Sequence, residues 1–144
     1  MLLKKQFQES KPTNKCFSSD CLERIMASTD SLENTMKVID AFTQERDWEQ
    51  FHSVKNLMAS VSIEASELNE TIQWENPTPM QVKENSKLLT SIGDELADVI
   101  VYCLRLCSVL GLEPIELMNN KIEKNRIKYP VDKSKGSSKK YTNL

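Results

Sequence analysis

Four acidic residues stand in two pairs, Glu64-Ala65-Ser66-Glu67 and Glu95-Leu96-Ala97-Asp98. Within each pair the carboxylates are three residues apart, so on a helix both project from one face. On a lone helix the plain reading of such spacing is a solvated face. The flanking residues argue otherwise. At about 100° per residue, Leu88, Ile92, Val99 and Leu106 fall within about 60° of Glu95, and Tyr102 within about 20°. Glu95 therefore sits inside the apolar stripe of its own helix, with Asp98 at the edge. Leu57, Val61 and Leu68 flank Glu64 in the same way, Glu67 lies at the border and Glu70 one step further out.

Ionised carboxylates taken out of water without partners cost several kcal/mol each, and converging ones repel. The nearest basic residues along these helices are Lys55, Lys87 and Arg105. A divalent cation resolves both problems. Hard Mg²⁺ prefers carboxylate oxygen and usually keeps water and substrate phosphate in its shell. With a single histidine, His52, the chain cannot supply the two Glu-x-x-His pairs that a di-iron bundle uses. The competing structure is a protonated or lysine-paired acidic cluster. Cys16, Cys21, Cys103 and Cys107 form neither a CxxC motif nor a Cys/His cluster and read as free thiols.

Helices must carry these pairs. A helix is expected over Thr29 to Gln44, with Ser31 as a candidate cap and Leu32, Met36, Ile39 and Phe42 or Thr43 at helical spacing, and a weaker one covers about Asp20 to Ala27. A second strong helix runs from about Ser53 to Trp74. Asn76-Pro77-Thr78-Pro79 breaks the chain, and Thr78 caps a long helix from Pro79 to Leu110. Gly111 closes that helix, and Pro114 opens another that ends before Tyr129-Pro130. No segment alternates with a period of two. The expectation is an all-α, four-helix-bundle type of fold. It has a poorly defined arm (1–30), a helical domain (31–130) and a basic tail (131–144) that is flexible on its own.

The composition sets outer limits. The chain has 144 residues, 39% hydrophobic and 28% charged, enough for a globular domain. Three glycines and five prolines are too few turn-makers for a sandwich or barrel of many short strands. The formal charge of −2 hides a split. Residues 1–120 carry 11 Lys/Arg and 19 Asp/Glu, a net −8, and residues 121–144 carry 8 and 2, a net +6. An acidic body argues against a nucleic-acid polymer as partner. No apolar run approaches a membrane span and no signal peptide is evident, so a cytoplasmic protein is expected.

The paired acids, Glu45-Arg46-Asp47-Trp48-Glu49-Gln50-Phe51-His52, Gln73-Trp74, Tyr102, Lys121, Asn125-Arg126 and Lys139-Lys140-Tyr141-Thr142 together resemble one family. It is the MazG-like, all-α nucleoside triphosphate pyrophosphohydrolases, and the match is nearest the dCTP pyrophosphatase branch. The resemblance spans about residues 32–144. It implies hydrolysis of a deoxynucleoside triphosphate to the monophosphate and pyrophosphate, in the service of nucleotide-pool sanitation. Glu64, Glu67, Glu95 and Asp98 would be catalytic and hold Mg²⁺, with Glu67 or Glu70 accepting the proton of the attacking water. Trp48, Phe51, His52 and Trp74 would enclose base and sugar, with Tyr102 packed against the deoxyribose. Lys121 and Asn125 would face the phosphates. Plain core or surface roles remain open for each of these side chains.

The chain departs from the branch at Ile39, where a histidine is expected nine residues before the tryptophan matching Trp48. Strict dCTP selectivity is thereby in doubt, and a more apolar pocket would admit dATP or other deoxynucleotides. The basic tail is either a solvated end or a cover for a phosphate site. Met58, Leu89, Ile100, Leu104 and Leu110 lie off the acidic stripe or extend it, which implies burial against another subunit, most simply in a homotetramer built as a dimer of dimers. The rival functions are a non-catalytic helical adaptor and a related all-α hydrolase of another pyrophosphate bond.

Overall fold

A computed structural model describes residues 31–143. The predicted helix near Asp20 to Ala27, the arm and Cys16 and Cys21 lie outside the described residues. Every regular element among the described residues is helical. The chain divides between Leu110 and Gly111 into two units.

The first unit starts with α1 (Leu32–Gln44). Its cap is Ser31, whose hydroxyl accepts from the Asn34 N–H, as the sequence predicts. α2 spans Val54–Glu70, and Ser53 caps it by accepting from Asn56 N–H. It ends earlier than expected: Thr71 closes the last turn and Trp74 lies in the loop beyond. α3 (Pro79–Glu84) opens with a capping box in which Thr78 accepts from Gln81 N–H and the Gln81 side chain accepts from Thr78 N–H.

The single helix expected from Pro79 to Leu110 is two. Asn85 leaves the helical conformation at φ −97° and ψ 89°. Its side-chain oxygen accepts from Leu88 N–H and starts α4 (Ser86–Leu110) afresh. α4 is the centre of the unit. It packs most extensively on α2, and α1 and α3 also lie against it. Leu57, Leu104 and Cys107 are the buried hydrophobic residues among those described. Leu104 thus packs inside its own chain, unlike the expectation that placed it at a subunit contact. Met58, Leu89, Leu96, Ile100, Val109 and Leu110 are exposed.

The second unit begins at Gly111, whose φ of +62° supplies the left-handed turn predicted at the end of α4. α5 (Pro114–Lys128) follows with proline in its first turn, then α6 (Val131–Ser134) and a 3₁₀ turn at Tyr141–Asn143. The tail, expected to be flexible, carries structure of its own. The Tyr141 ring meets Tyr129 edge-on at 5.9 Å, and Lys128 Nζ lies 4.9 Å from the Tyr141 ring centre.

Candidate active site

The carboxylates come together where α2 meets α4. Glu64, Glu95 and Asp98 each offer an oxygen, and these oxygens lie within 4.8 Å of one another. Glu64 is buried, while Glu95 and Asp98 are half-buried. The apolar stripe read from the sequence accounts for this. Leu88, Ile92, Val99, Tyr102 and Leu106 are all partly buried on the face of α4 that carries Glu95. Packing of that stripe on α2 carries the acids inward with it.

Glu67 lies one turn beyond Glu64 on α2, half-buried, and is outside the close trio. Glu70 is exposed. One oxygen, Glu95 Oε2, is buried with no hydrogen-bond partner among the described residues. A buried acceptor left unmatched beside two more carboxylates fits a hard cation, which would satisfy it and offset the mutual repulsion. The donor set is all oxygen, which suits Mg²⁺-type ions rather than thiolate-seeking ones. The trio can therefore hold a metal ion.

Beside the trio is a cavity of about 230 Å³ lined by Ile39, Phe42, Thr43, Trp48, His52, Asp98, Val101, Tyr102 and Arg105. The segment after α1 contributes Trp48 and His52 to its wall. Asp47 adopts the left-handed region at φ 53°, a conformation that aspartate tolerates better than most residues. The turn brings Trp48 back over α1, where Trp48 N–H donates to Thr43 O at 3.0 Å and the indole meets the Phe42 ring edge-on at 5.8 Å. The 3₁₀ turn Glu49–Phe51 follows. Asn56 on α2 donates to Phe51 O at 2.9 Å and fixes this turn against the next helix.

Tyr102 sits one turn after Asp98 on α4. Burial raises its phenol pKa above the usual 10.0, the Glu64 and Asp98 charges push the same way, and a hydrogen bond with Ser60 opposes them.

Of the residues singled out by sequence, the structure brings Trp48, His52, Tyr102 and Asp98 to one cavity and Glu64, Glu95 and Asp98 to one acidic centre. Phe51 is half-buried in the 3₁₀ turn, outside the cavity lining. Trp74 is 89% exposed in the loop after α2. Lys121, exposed, and Asn125, half-buried, lie four apart on α5 of the second unit.

Sequence reasoning missed Asp40 and the task of Arg105. Arg105 is buried and does not neutralise the acidic trio. Its Nη1 donates to Asp40 Oδ1 at 2.6 Å and its Nε to His52 Nδ1 at 3.3 Å, and Ser108 Oγ donates to Asp40 Oδ2 at 2.5 Å. An arginine bordering an apolar stripe was the available signal, because such a charge requires a partner once buried.

Comparisons with known proteins agree with this architecture. The model of the MazG-like family matches residues 59–144. dCTP pyrophosphatase 1 of Mus musculus is 36% identical over 115 residues, covering 79% of this chain and 68% of that protein. Its counterpart in Homo sapiens is 32% identical over 117 residues, with the same coverage of 79% and 68%. The crystal structure of a pyrophosphatase from Archaeoglobus fulgidus matches with a TM-score of 0.63 at 36% identity, over 69% of this chain and 92% of that one. With the all-helical fold and the acidic centre between α2 and α4, these likenesses show that the chain belongs to the MazG-like family of all-α nucleoside triphosphate pyrophosphohydrolases.

Proposed function

We propose that the chain is a Mg²⁺-dependent enzyme that converts deoxynucleoside triphosphates to monophosphates and pyrophosphate. The observation that carries the proposal is the double membership of Asp98, which belongs to the carboxylate trio and also lines the aromatic cavity. A base in the cavity would thus hold its phosphates toward the acids. The names of the mammalian relatives, dCTP pyrophosphatase 1, support the substrate class.

Glu64, Glu95 and Asp98, with Glu67 on the same face of α2, would hold the ion. When bound, Mg²⁺ would supply charge to offset the phosphate oxygens and to favour ionisation of the attacking water. The protein's own residues would do the rest. Glu67 or Glu70 would accept the proton of the water that attacks the α-phosphorus. Trp48 and Phe42 would offer aromatic faces to the base, and Tyr102 would crowd a 2′-hydroxyl. Lys121 and Asn125 would meet the phosphates. Phe51 would back the aromatic wall.

dCTP is the favoured substrate in this reading, with dATP and others admitted because Ile39 presents an apolar wall to the cavity. The small core and the exposed apolar residues of α2 and α4 support a homo-oligomer, proposed as a dimer of dimers. Trp74, 89% exposed on one chain, needs a second surface if it is to enclose a base.

Incubation with each dNTP and NTP, with Mg²⁺ or a chelator, tests the proposal. The expected products are nucleoside monophosphate and pyrophosphate from dNTPs, with Mg²⁺ only. A well-folded protein that turns over no triphosphate contradicts it.

A further inference from the structure

Arg105 is buried, with its side chain 8% exposed, yet it lines the cavity with Asp98 and Tyr102 on one face of α4. Its charge is met by Asp40 at 2.6 Å, with Glu49 further off at 3.7 Å. Both Asp40 oxygens are engaged, one by Arg105 and one by Ser108, so the guanidinium is fixed in place. Asp40 comes from α1 and Ser108 from α4, so the clamp ties two helices together.

The fixed guanidinium has a consequence for His52. An arginine Nε always carries its proton, so it is only a donor. Its partner, His52 Nδ1 at 3.3 Å, must present a lone pair. An imidazolium has none to offer, and a neutral ring with a bare Nδ1 carries its proton on Nε2. The electrostatics agree. Burial, and next the Arg105 charge, hold the His52 pKa below its usual 6.5, while Glu49 pulls it the other way.

His52 lines a cavity whose other walls include the apolar Ile39, Phe42 and Val101 on one hand and the polar Asp98, Tyr102 and Arg105 on the other. In such a pocket one oriented polar group has a large say in how a flat ligand sits. We propose that Arg105 is a positioning residue that locks His52 in the Nε2–H form, so that His52 meets the base as a hydrogen-bond donor. The matching ligand edge is an acceptor, such as the ring carbonyl of a pyrimidine, and not an exocyclic amino group. This inference rests on the reading of the cavity as the base pocket.

His52 is the single histidine of the chain, so a protein labelled with ¹⁵N-histidine gives one unambiguous pair of ring nitrogens. At neutral pH the folded protein should show a protonated, pyrrole-type Nε2 and an unprotonated, pyridine-type Nδ1. Arg105→Lys, which keeps the charge but loses the Nε donor, should release a mixture of forms. A wild-type ring protonated at Nδ1, or at both nitrogens, overturns the inference whatever the activity. The wild-type spectrum stands alone if the variant fails to fold.

Kinetics separate the inference from the reading beneath it. The probes are dCTP and the triphosphate of difluorotoluene deoxyriboside, which has the shape of a pyrimidine without its strong acceptors. His52→Phe should raise KM for dCTP about tenfold, the worth of one buried hydrogen bond, with kcat little changed. The analogue should respond much less, and His52→Gln, which keeps an amide donor, should recover most of the loss. Equal responses to the two probes, with the Nε2–H form intact, overturn the donor role. If dCTP does not move the His52 resonances at all, the base-pocket reading falls, and the inference with it.

Discussion

Glu64 on α2 and Glu95 on α4 bring carboxylate oxygens within 4.8 Å of each other, although a loop and a short helix separate them in the chain. Two partly or fully buried acids at that distance repel, and Glu95 Oε2 has no hydrogen-bond partner among the described residues. The protein keeps these two carboxylates close together at the helix contact around which its first unit is built.

Removing one of those charges should therefore separate activity from stability. Glu95→Gln keeps the shape of the side chain. Turnover should fall by more than the roughly 10–100-fold that changes beyond the ligands cost metal sites. The melting temperature in chelator should hold or rise, because an isosteric neutral group replaces a buried charge. Added Mg²⁺ should raise the melting temperature of the wild type by binding the folded state alone. Differential scanning calorimetry of both proteins, with and without Mg²⁺, checks this. A large loss of stability in the variant would give Glu95 a structural role.

Tyr102 should govern the choice between deoxyribose and ribose. Tyr102→Ala opens space beside Asp98, and the ratio of dCTP to CTP turnover should drop about tenfold, within the range a single hydroxyl confers in a shaped pocket. Tyr102→Phe keeps the ring and should keep the ratio. An unchanged ratio in the alanine variant removes the assigned role. The phenol pKa is raised in the folded state, so the stability tied to it is present below the usual 10.0 and is lost as pH climbs beyond that value.

The His52–Arg105 contact sets the opposite pH dependence. The imidazole pKa is depressed by burial and by Arg105. A depressed folded value means that the stabilisation is present above 6.5 and is lost as pH falls through the folded pKa. Thermal melts across this range should show a steeper acid-side loss for wild type than for His52→Gln, which cannot titrate. The carboxylates titrate in both proteins and cancel in the difference. Parallel curves would mean that His52 ionises as freely in the folded chain as in the unfolded one.

The exposed apolar face of α4 should mark where copies meet. Ile100 is 48% exposed on a single chain. Light scattering should give the mass of a tetramer for wild type and a smaller species for Ile100→Glu, because a buried unpaired charge opposes the contact. A monomeric wild type contradicts the oligomer.

Much of the fold was legible because its signals are local. Ser31, Thr78, Gly111 and Pro114 each act within a turn of their own position, and each does in the structure what its type predicts. The acidic centre was legible through the apolar stripes of α2 and α4. Asn85 was not, because it sits inside a helical pattern and the break depends on its side chain capping the next helix. The clamp of Asp40 on Arg105 was invisible for a different reason. It joins α1 to α4 across tertiary space, and helical spacing carries no record of which polar groups meet there. Leu104 shows the same limit: its exposure was decided by packing inside the chain.

Hydrolysis in the proposed function occurs at the α-phosphorus, by residues of the acidic centre. Turnover of dCTP in ¹⁸O-labelled water with Mg²⁺, followed by mass spectrometry of the products, tests it most directly. Attack at the α-phosphorus should leave one labelled oxygen in the nucleoside monophosphate and an unlabelled pyrophosphate. Label in pyrophosphate, or release of orthophosphate, would place the attack elsewhere and contradict it.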